Sequence, residues 1–157
     1  MSLDLIRQHI DTSIGSYSAG FYSRQSFIPG VSKVNYSTPI FDGTELRNIV
    51  ECALSGHVAG GKWTTEFEGK LRSYFRSRDF IFVNSGSSAN LLMIATLCSE
   101  NVKDHLHRGD EVIVPALGFP TSVAPVAQFG LLPVFIDVDA KTYNPSPEMI
   151  AAAIGPK

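Results

Sequence analysis

Phe80-Ile-Phe-Val-Asn84-Ser-Gly-Ser-Ser88-Ala-Asn-Leu-Leu-Met-Ile-Ala95 decides the fold, because an apolar, aromatic and β-branched run passes through a turn of small residues directly into a helix pattern. Residues 80–83 predict a buried strand and residues 89–100 a helix. Between them, residues 84–88 offer backbone N–H groups and hydroxyls with little side-chain bulk. The helix that follows leaves its first four N–H groups unpaired and turns its positive dipole end to the turn. A phosphate fits such a junction. An ordinary capped turn uses the same residues, since Ser and Asn are favoured N-caps with or without a ligand. The surrounding sequence has to decide between the two.

Downstream, strand and helix patterns alternate: strands at 80–83, 111–114 and 133–138, helices at 89–100 and 122–129, with Gly130 placed to stop the second helix. The order is βαβαβ. Continuously apolar strands predict burial on both faces, hence a mostly parallel sheet with helices on both faces and right-handed crossovers. Ser146-Pro147-Glu148 predicts an N-cap with Pro at the first helical position, opening a helix to about residue 153.

Upstream, Asp42-Gly-Thr-Glu45 has the form of a capping box, and Leu46, Ile49, Val50, Ala53 and Leu54 share one helical face until Gly56. A second box, Thr65-Glu-Phe-Glu68, predicts a helix with Phe67, Leu71, Tyr74 and Phe75 on its buried side. Residues 1–41, a short helical pattern followed by the turn-rich Phe27 to Pro39, read as an N-terminal arm. Residues 42–157 then form the α/β domain. Open α/β sheets usually have more than three strands, so the expectation is a fragment of a larger domain; a shorter complete fold would need another way to protect the edge of its last strand.

A chain of 157 residues with 44% hydrophobic content can bury a real core. Its net charge of -2 and scattered Lys and Arg argue against a nucleic-acid partner. Cys52 and Cys98 fall inside amphipathic helical patterns and read as buried thiols in a reducing compartment. Neither a secretory leader nor a membrane-length apolar run is visible, so the expected location is the cytoplasm, without membrane association.

Other candidate sites are weaker. Gly56-His-Val-Ala-Gly-Gly61-Lys62-Trp63 approaches the Walker A pattern, but Trp63 stands where a magnesium ligand belongs and a helix precedes it instead of a strand. A loop carrying a functional Lys or aromatic fits better. Asp137-Val-Asp139 closes a strand with two carboxylates on one side, the geometry of a shared metal site in a nucleotide-sugar transferase. Acidic residues also terminate strands without any such role. Ser85, Ser87 and Ser88 lack the Gly-x-Ser-x-Gly frame of a hydrolase, and no Ser-x-x-Lys pair occurs. His105 and His107 have no third ligand beside them and read as loop residues, and His9 and His57 have no evident partners. Pro115-Ala-Leu-Gly-Phe119-Pro-Thr-Ser122 follows the second strand, at the same carboxyl edge of the sheet as the serine turn. A phosphate cradle beside an exposed aromatic plate suits a flat, phosphorylated cofactor. The alternative for Phe119 is a core aromatic, but Gly118 and Pro120 around it suggest a loop that presents the ring.

Taken together, Gly61-Lys-Trp-x-x-Glu-Phe-Glu68, Asn84-Ser-Gly-Ser-Ser-Ala-Asn-Leu91, Arg108-Gly-Asp-Glu-Val-Ile-Val-Pro-Ala116, Leu132-Pro-Val-Phe-Ile-Asp-Val-Asp139 and Thr142-Tyr-Asn144 resemble the N-terminal part of the DegT/StrS family. The resemblance implies a pyridoxal-phosphate (PLP) enzyme of aspartate-aminotransferase type, fold type I, acting on a nucleotide-linked keto sugar in deoxy-sugar, amino-sugar or lipopolysaccharide biosynthesis. It implies that Gly86, Ser87 and Ser88 hold the phosphate of PLP or of its amine form and that Phe119 stacks on the ring. The details are most similar to the CDP-4-keto-6-deoxyglucose 3-dehydrase branch, where a His replaces the usual cofactor-binding Lys and an iron–sulfur reductase acts as partner. Other members transfer an amino group. The resemblance also implies a homodimer, with the catalytic Lys or His and the Asp that pairs with the ring nitrogen lying beyond Lys157. None of Lys62, Lys70, Lys103, Lys141 or Lys157 falls at the catalytic position, so the expected turnover of this polypeptide alone is nil. Two alternatives stand beside it: a metal-dependent nucleotide-sugar transferase using Asp137 and Asp139, and a non-catalytic phosphate-binding α/β module.

Overall fold

Helix formation starts from local caps. In the computed structural model, which describes residues 1–22, 27–37 and 41–155, Asp42 accepts a hydrogen bond from the Thr44 N–H (2.6 Å) while Glu45 accepts one from the Asp42 N–H (2.7 Å). This closed capping box starts α2 (Gly43–Leu54) where its sequence predicts. The chain forms two compact units, residues 1–80 and 81–157.

The first unit holds α1 (Leu3–Tyr22), α2 and α3 (Lys62–Phe75). At 20 residues, α1 is far longer than the short helix expected at the N-terminus. It packs on α2, tied by Arg7 to Glu51 (3.1 Å) and Arg47 to Asp11 (2.6 Å). These pairs are solvent-exposed and fix geometry more than they stabilise. The end of the turn-rich stretch, residues 38 and 39, lies outside the described residues.

Two expectations for α3 are corrected. It starts at Lys62 with Gly61 as its N-cap, so Thr65 lies inside the first turns, where its hydroxyl bonds back to the Gly61 carbonyl (3.2 Å). Competition from that intrahelical bond removes Thr65 as a cap. Phe67, Tyr74 and Phe75 are exposed instead of buried. Phe80 stacks on Phe75 (6.3 Å between centroids) and meets Phe67 edge-on (6.5 Å), while Tyr74 meets Phe75 edge-on (5.0 Å), too little cover to form a buried side.

The second unit contains α4 (Gly86–Leu97), β1 (Glu111–Pro115), a 3-10 turn (Pro120–Ser122), α5 (Ala124–Gln128), β2 (Leu132–Ile136) and α6 (Pro147–Ala153). β1 and β2 pair in parallel, from Glu111 opposite Leu132 to Pro115 opposite Ile136. They form a two-stranded sheet among the described residues. Among the described residues, 80–83 form no strand, and Ile81 and Phe82 are exposed. An apolar β-branched run predicts extended backbone, but a strand also needs a neighbouring edge to bond to.

Val114, Val126, Leu131 and Ile136 are buried, with α5 and α6 packed on β2. Leu132 and Phe135, on opposite faces of β2, stay more than half exposed, so the expected burial of the strand on both faces is not seen. α5 is shorter than predicted: Ser122 belongs to the preceding 3-10 turn, and α5 opens at Ala124 with Pro125 in its first turn, where proline is tolerated. α6 begins as expected, with the Ser146 hydroxyl accepting from the Met149 N–H (3.3 Å).

Gly130 ends α5 in the left-handed region (φ +73°), and its N–H and carbonyl bond to Ala127 and Gly109. A Cβ at this position would stand 2.9 Å from the Arg108 guanidinium carbon. The guanidinium is a flexible tip and can move aside, whereas the backbone strain stays. Gly130→Ala should therefore cost about 1–2 kcal/mol in urea denaturation, and Gly130→Asn less, because Asn tolerates this conformation.

Candidate functional site: the amino end of α4

The opening stretch folds so that Ser85, extended at φ -162° and ψ 160°, is the N-cap of α4 and accepts from the Ser88 N–H (3.1 Å). The helix therefore starts at Gly86, three residues before its predicted start, and the serine turn is its first turn. Of the N–H groups in the first turn, that of Ser88 is taken by Ser85, and those of Gly86 and Ser87 have no partner among the described residues. Nothing lies within 4 Å of the place a Cβ on Gly86 would occupy, so the end of the helix is open.

Hydroxyls surround this end. The Ser85 hydroxyl donates to Ser88 Oγ (3.1 Å), and Ser88 donates in turn to Asn84 Oδ1 (2.6 Å). Ser87 donates to Thr121 Oγ1 (3.1 Å), which leaves the Thr121 proton free to be given to an anion. Asn90 Nδ2 donates to the Thr121 carbonyl (3.3 Å). These two bonds fasten the loop after β1 to the first turns of α4. The loop carries Phe119, whose ring is 64% exposed and so is not a core aromatic.

The structure thus brings Gly86, Ser87, Ser88 and the Phe119 loop together. Thr121 and Asn90 were missed by sequence reasoning. Thr121 had a signal in its hydroxyl two residues after the candidate ring; Asn90 had one in being the polar residue in an otherwise apolar helix run from Ala89 to Ile94.

Elsewhere, Asp137 accepts from the Val138 N–H (2.8 Å), and Asp139 accepts from the Lys141 and Thr142 N–H groups (both 2.9 Å). Both carboxylates organise the turn after β2. Among the described residues no three His, Cys, Asp or Glu side chains group as a metal site. The Thr142 N–H, followed by that of Lys141, holds the Asp139 carboxyl below its ordinary pKa. A depressed folded value means the turn is stabilised above the unfolded pKa, about 3.9, and loses that stabilisation as pH falls through the folded value. The Lys141 and Thr142 amide resonances should hold still down to about pH 4 and shift below it, and Asp139→Asn should abolish the titration.

Lys62 lies 4.9 Å over the ring of Trp63, whose Nε1 is buried with no partner among the described residues. His57 Nδ1 meets the Ser55 carbonyl (2.9 Å), and the His105 and His107 rings stack at 4.5 Å. Cys52 and Cys98 are free thiols, half-buried where full burial was expected; Cys52 Sγ donates to the His57 carbonyl (3.3 Å). No helix among the described residues is long and apolar enough to cross a membrane.

This chain belongs to the DegT/DnrJ/EryC1/StrS aminotransferase family, which it matches over residues 39–157. It is 38% identical, over its whole length, to the lipopolysaccharide biosynthesis protein RfbH of Salmonella typhimurium, covering 36% of that protein. Over 82% of its length it is 41% identical to the dTDP-4-dehydro-2,6-dideoxy-D-glucose 3-dehydratase of Saccharopolyspora spinosa, covering 28% of that one. The solved structure of the E. coli GDP-4-keto-6-deoxy-D-mannose-3-dehydratase with bound hydrated PLP is similar with a TM-score of 0.71 and 34% identity, covering 80% of this chain and 32% of that one. The chain spans about a third of the length of the curated relatives it matches. Its fold is that of the N-terminal part of a fold type I large domain.

Proposed function

We propose that residues 84–121 form the phosphate-and-ring half of a PLP or pyridoxamine-phosphate site in a cytoplasmic enzyme acting on a nucleotide-linked keto sugar, as an aminotransferase or a 3-dehydrase. The observation that carries this reading is the Ser87–Thr121 hydrogen bond, which sets the Phe119 loop against the open end of α4. Gly86 and Ser87 bind the phosphate through their N–H groups, aided by the positive end of the helix. Ser88 joins them once its hydroxyl turns from Asn84, and Thr121 gives the hydroxyl proton that Ser87 leaves free. Phe119 covers one face of the ring and excludes water from it. When bound, the cofactor supplies an electron sink for breaking bonds at the sugar carbon.

The similarity to RfbH and to two 3-dehydratases supports sugar-nucleotide chemistry of lipopolysaccharide or deoxy-sugar biosynthesis. The full enzyme is proposed to be a homodimer with residues 1–41 as an arm and 42–157 within the large domain, and a dehydrase would take an iron–sulfur reductase as partner. A Lys at the catalytic position would give amino transfer and a His dehydration.

Pyridoxamine phosphate is the proper probe, because it lacks the aldehyde that condenses with surface lysines. Titration followed by phosphorus NMR should show saturable binding to the chain. Absence of binding, together with manganese-dependent binding of a sugar nucleotide that Asp137→Ala removes, would replace this reading with the metal-dependent transferase.

A further inference from the structure

We infer that Asn90 is a positioning residue: by holding Thr121, it sets where the ring of Phe119 stands relative to the phosphate turn. The inference rests on the cofactor reading above.

Asn90 and Ser87 are three residues apart on α4 and so share one face. Both grip Thr121, Ser87 at the hydroxyl (3.1 Å) and Asn90 at the carbonyl (3.3 Å). One bond would leave the loop free to swing about it. Two bonds from one rigid helix fix both position and orientation.

Little slack separates Thr121 from the ring. Pro120 has its φ locked by its own ring and holds the residue before it extended, as Phe119 is at φ -80° and ψ 142°. The Ser122 N–H bonds to the Phe119 carbonyl (2.9 Å), closing the turn. With its side chain 64% exposed, Phe119 is held mainly through this backbone and not through packing. The orientation of Thr121 is therefore passed on to the ring.

The choice of residue supports the same conclusion. Asn90 is half-buried, and an amide there carries a desolvation cost that an apolar residue would avoid. The bond to Thr121 is what that amide obtains.

The test compares two ligands that share the phosphate and differ in the ring. Asn90→Leu should weaken pyridoxamine phosphate about tenfold, the effect of one ordering hydrogen bond, and leave the affinity for inorganic phosphate unchanged. In a Phe119→Ala background the same substitution should add no further loss, because the ring it positions is gone. Asn90→Ala, which preserves helix propensity, repeats the measurement should the Leu variant melt early by circular dichroism. Equal losses for both ligands, or losses that add to that of Phe119→Ala, would overturn the inference and leave the cofactor reading standing. A wild-type chain that binds neither ligand overturns both.

Discussion

Ser87→Asp should weaken the binding of pyridoxamine phosphate by at least about 30-fold. A carboxylate there would stand about 4 Å from the bound phosphate, and two like charges at that distance repel by about 4 kcal/mol at an effective dielectric constant near 20. Solvent at this half-buried position screens part of that, so the expected loss is at least about 30-fold. The variant also loses the hydroxyl that joins α4 to Thr121. Folding should not suffer, because Asp is favoured in the first turn of a helix, close to the positive dipole end. The prediction therefore pairs a large loss of ligand with an unchanged or slightly raised melting temperature. Ser87→Ala, which keeps the N–H and adds no charge, should lose far less.

Phe119→Ala should weaken pyridoxamine phosphate about tenfold while leaving thermal stability within error. Stacking of two aromatic rings contributes about 0.5–1.5 kcal/mol beyond the area it buries. That area is large here, because the ring is 64% exposed before any ligand covers it. Since the ring makes so little of the core, its removal leaves almost no cavity and costs folding little. Inorganic phosphate, with no ring to cover, should bind the variant as it binds the wild type. Calorimetric titration with both ligands and a thermal melt check the three parts. A core role for Phe119 would reverse the pattern, lowering the melting temperature and leaving the ligands unaffected.

Helix starts were the most legible part of the fold wherever a side chain caps its own turn. Asp42 and Ser146 each satisfy an N–H two or three residues on, a local arrangement that the sequence displays directly; Ser85 does the same, but the small residues after it read as a turn and hid the first turn of α4. The parallel pair β1 and β2 was also legible, from two apolar runs separated by a helix-length segment. Residues 80–83 show where this stops. Their composition specifies an extended backbone, but sheet membership depends on an edge supplied by another segment. The same holds for Phe67, Tyr74, Phe75 and Phe135, whose apolar character announces burial without naming a covering layer. In the candidate site, Gly86, Ser87, Ser88 and Phe119 stood out through small-residue turns beside regular elements. Asn90 did not, because its partner lies 31 residues away and only folding brings the two together.

A crystal structure of the chain with pyridoxamine phosphate should show phosphate oxygens within hydrogen-bond distance of the Gly86 and Ser87 N–H groups and the ring lying against Phe119. Phosphate bound elsewhere, for instance at the amino end of α3 by Gly61 and Lys62, with Phe119 still open to solvent, would contradict that placement.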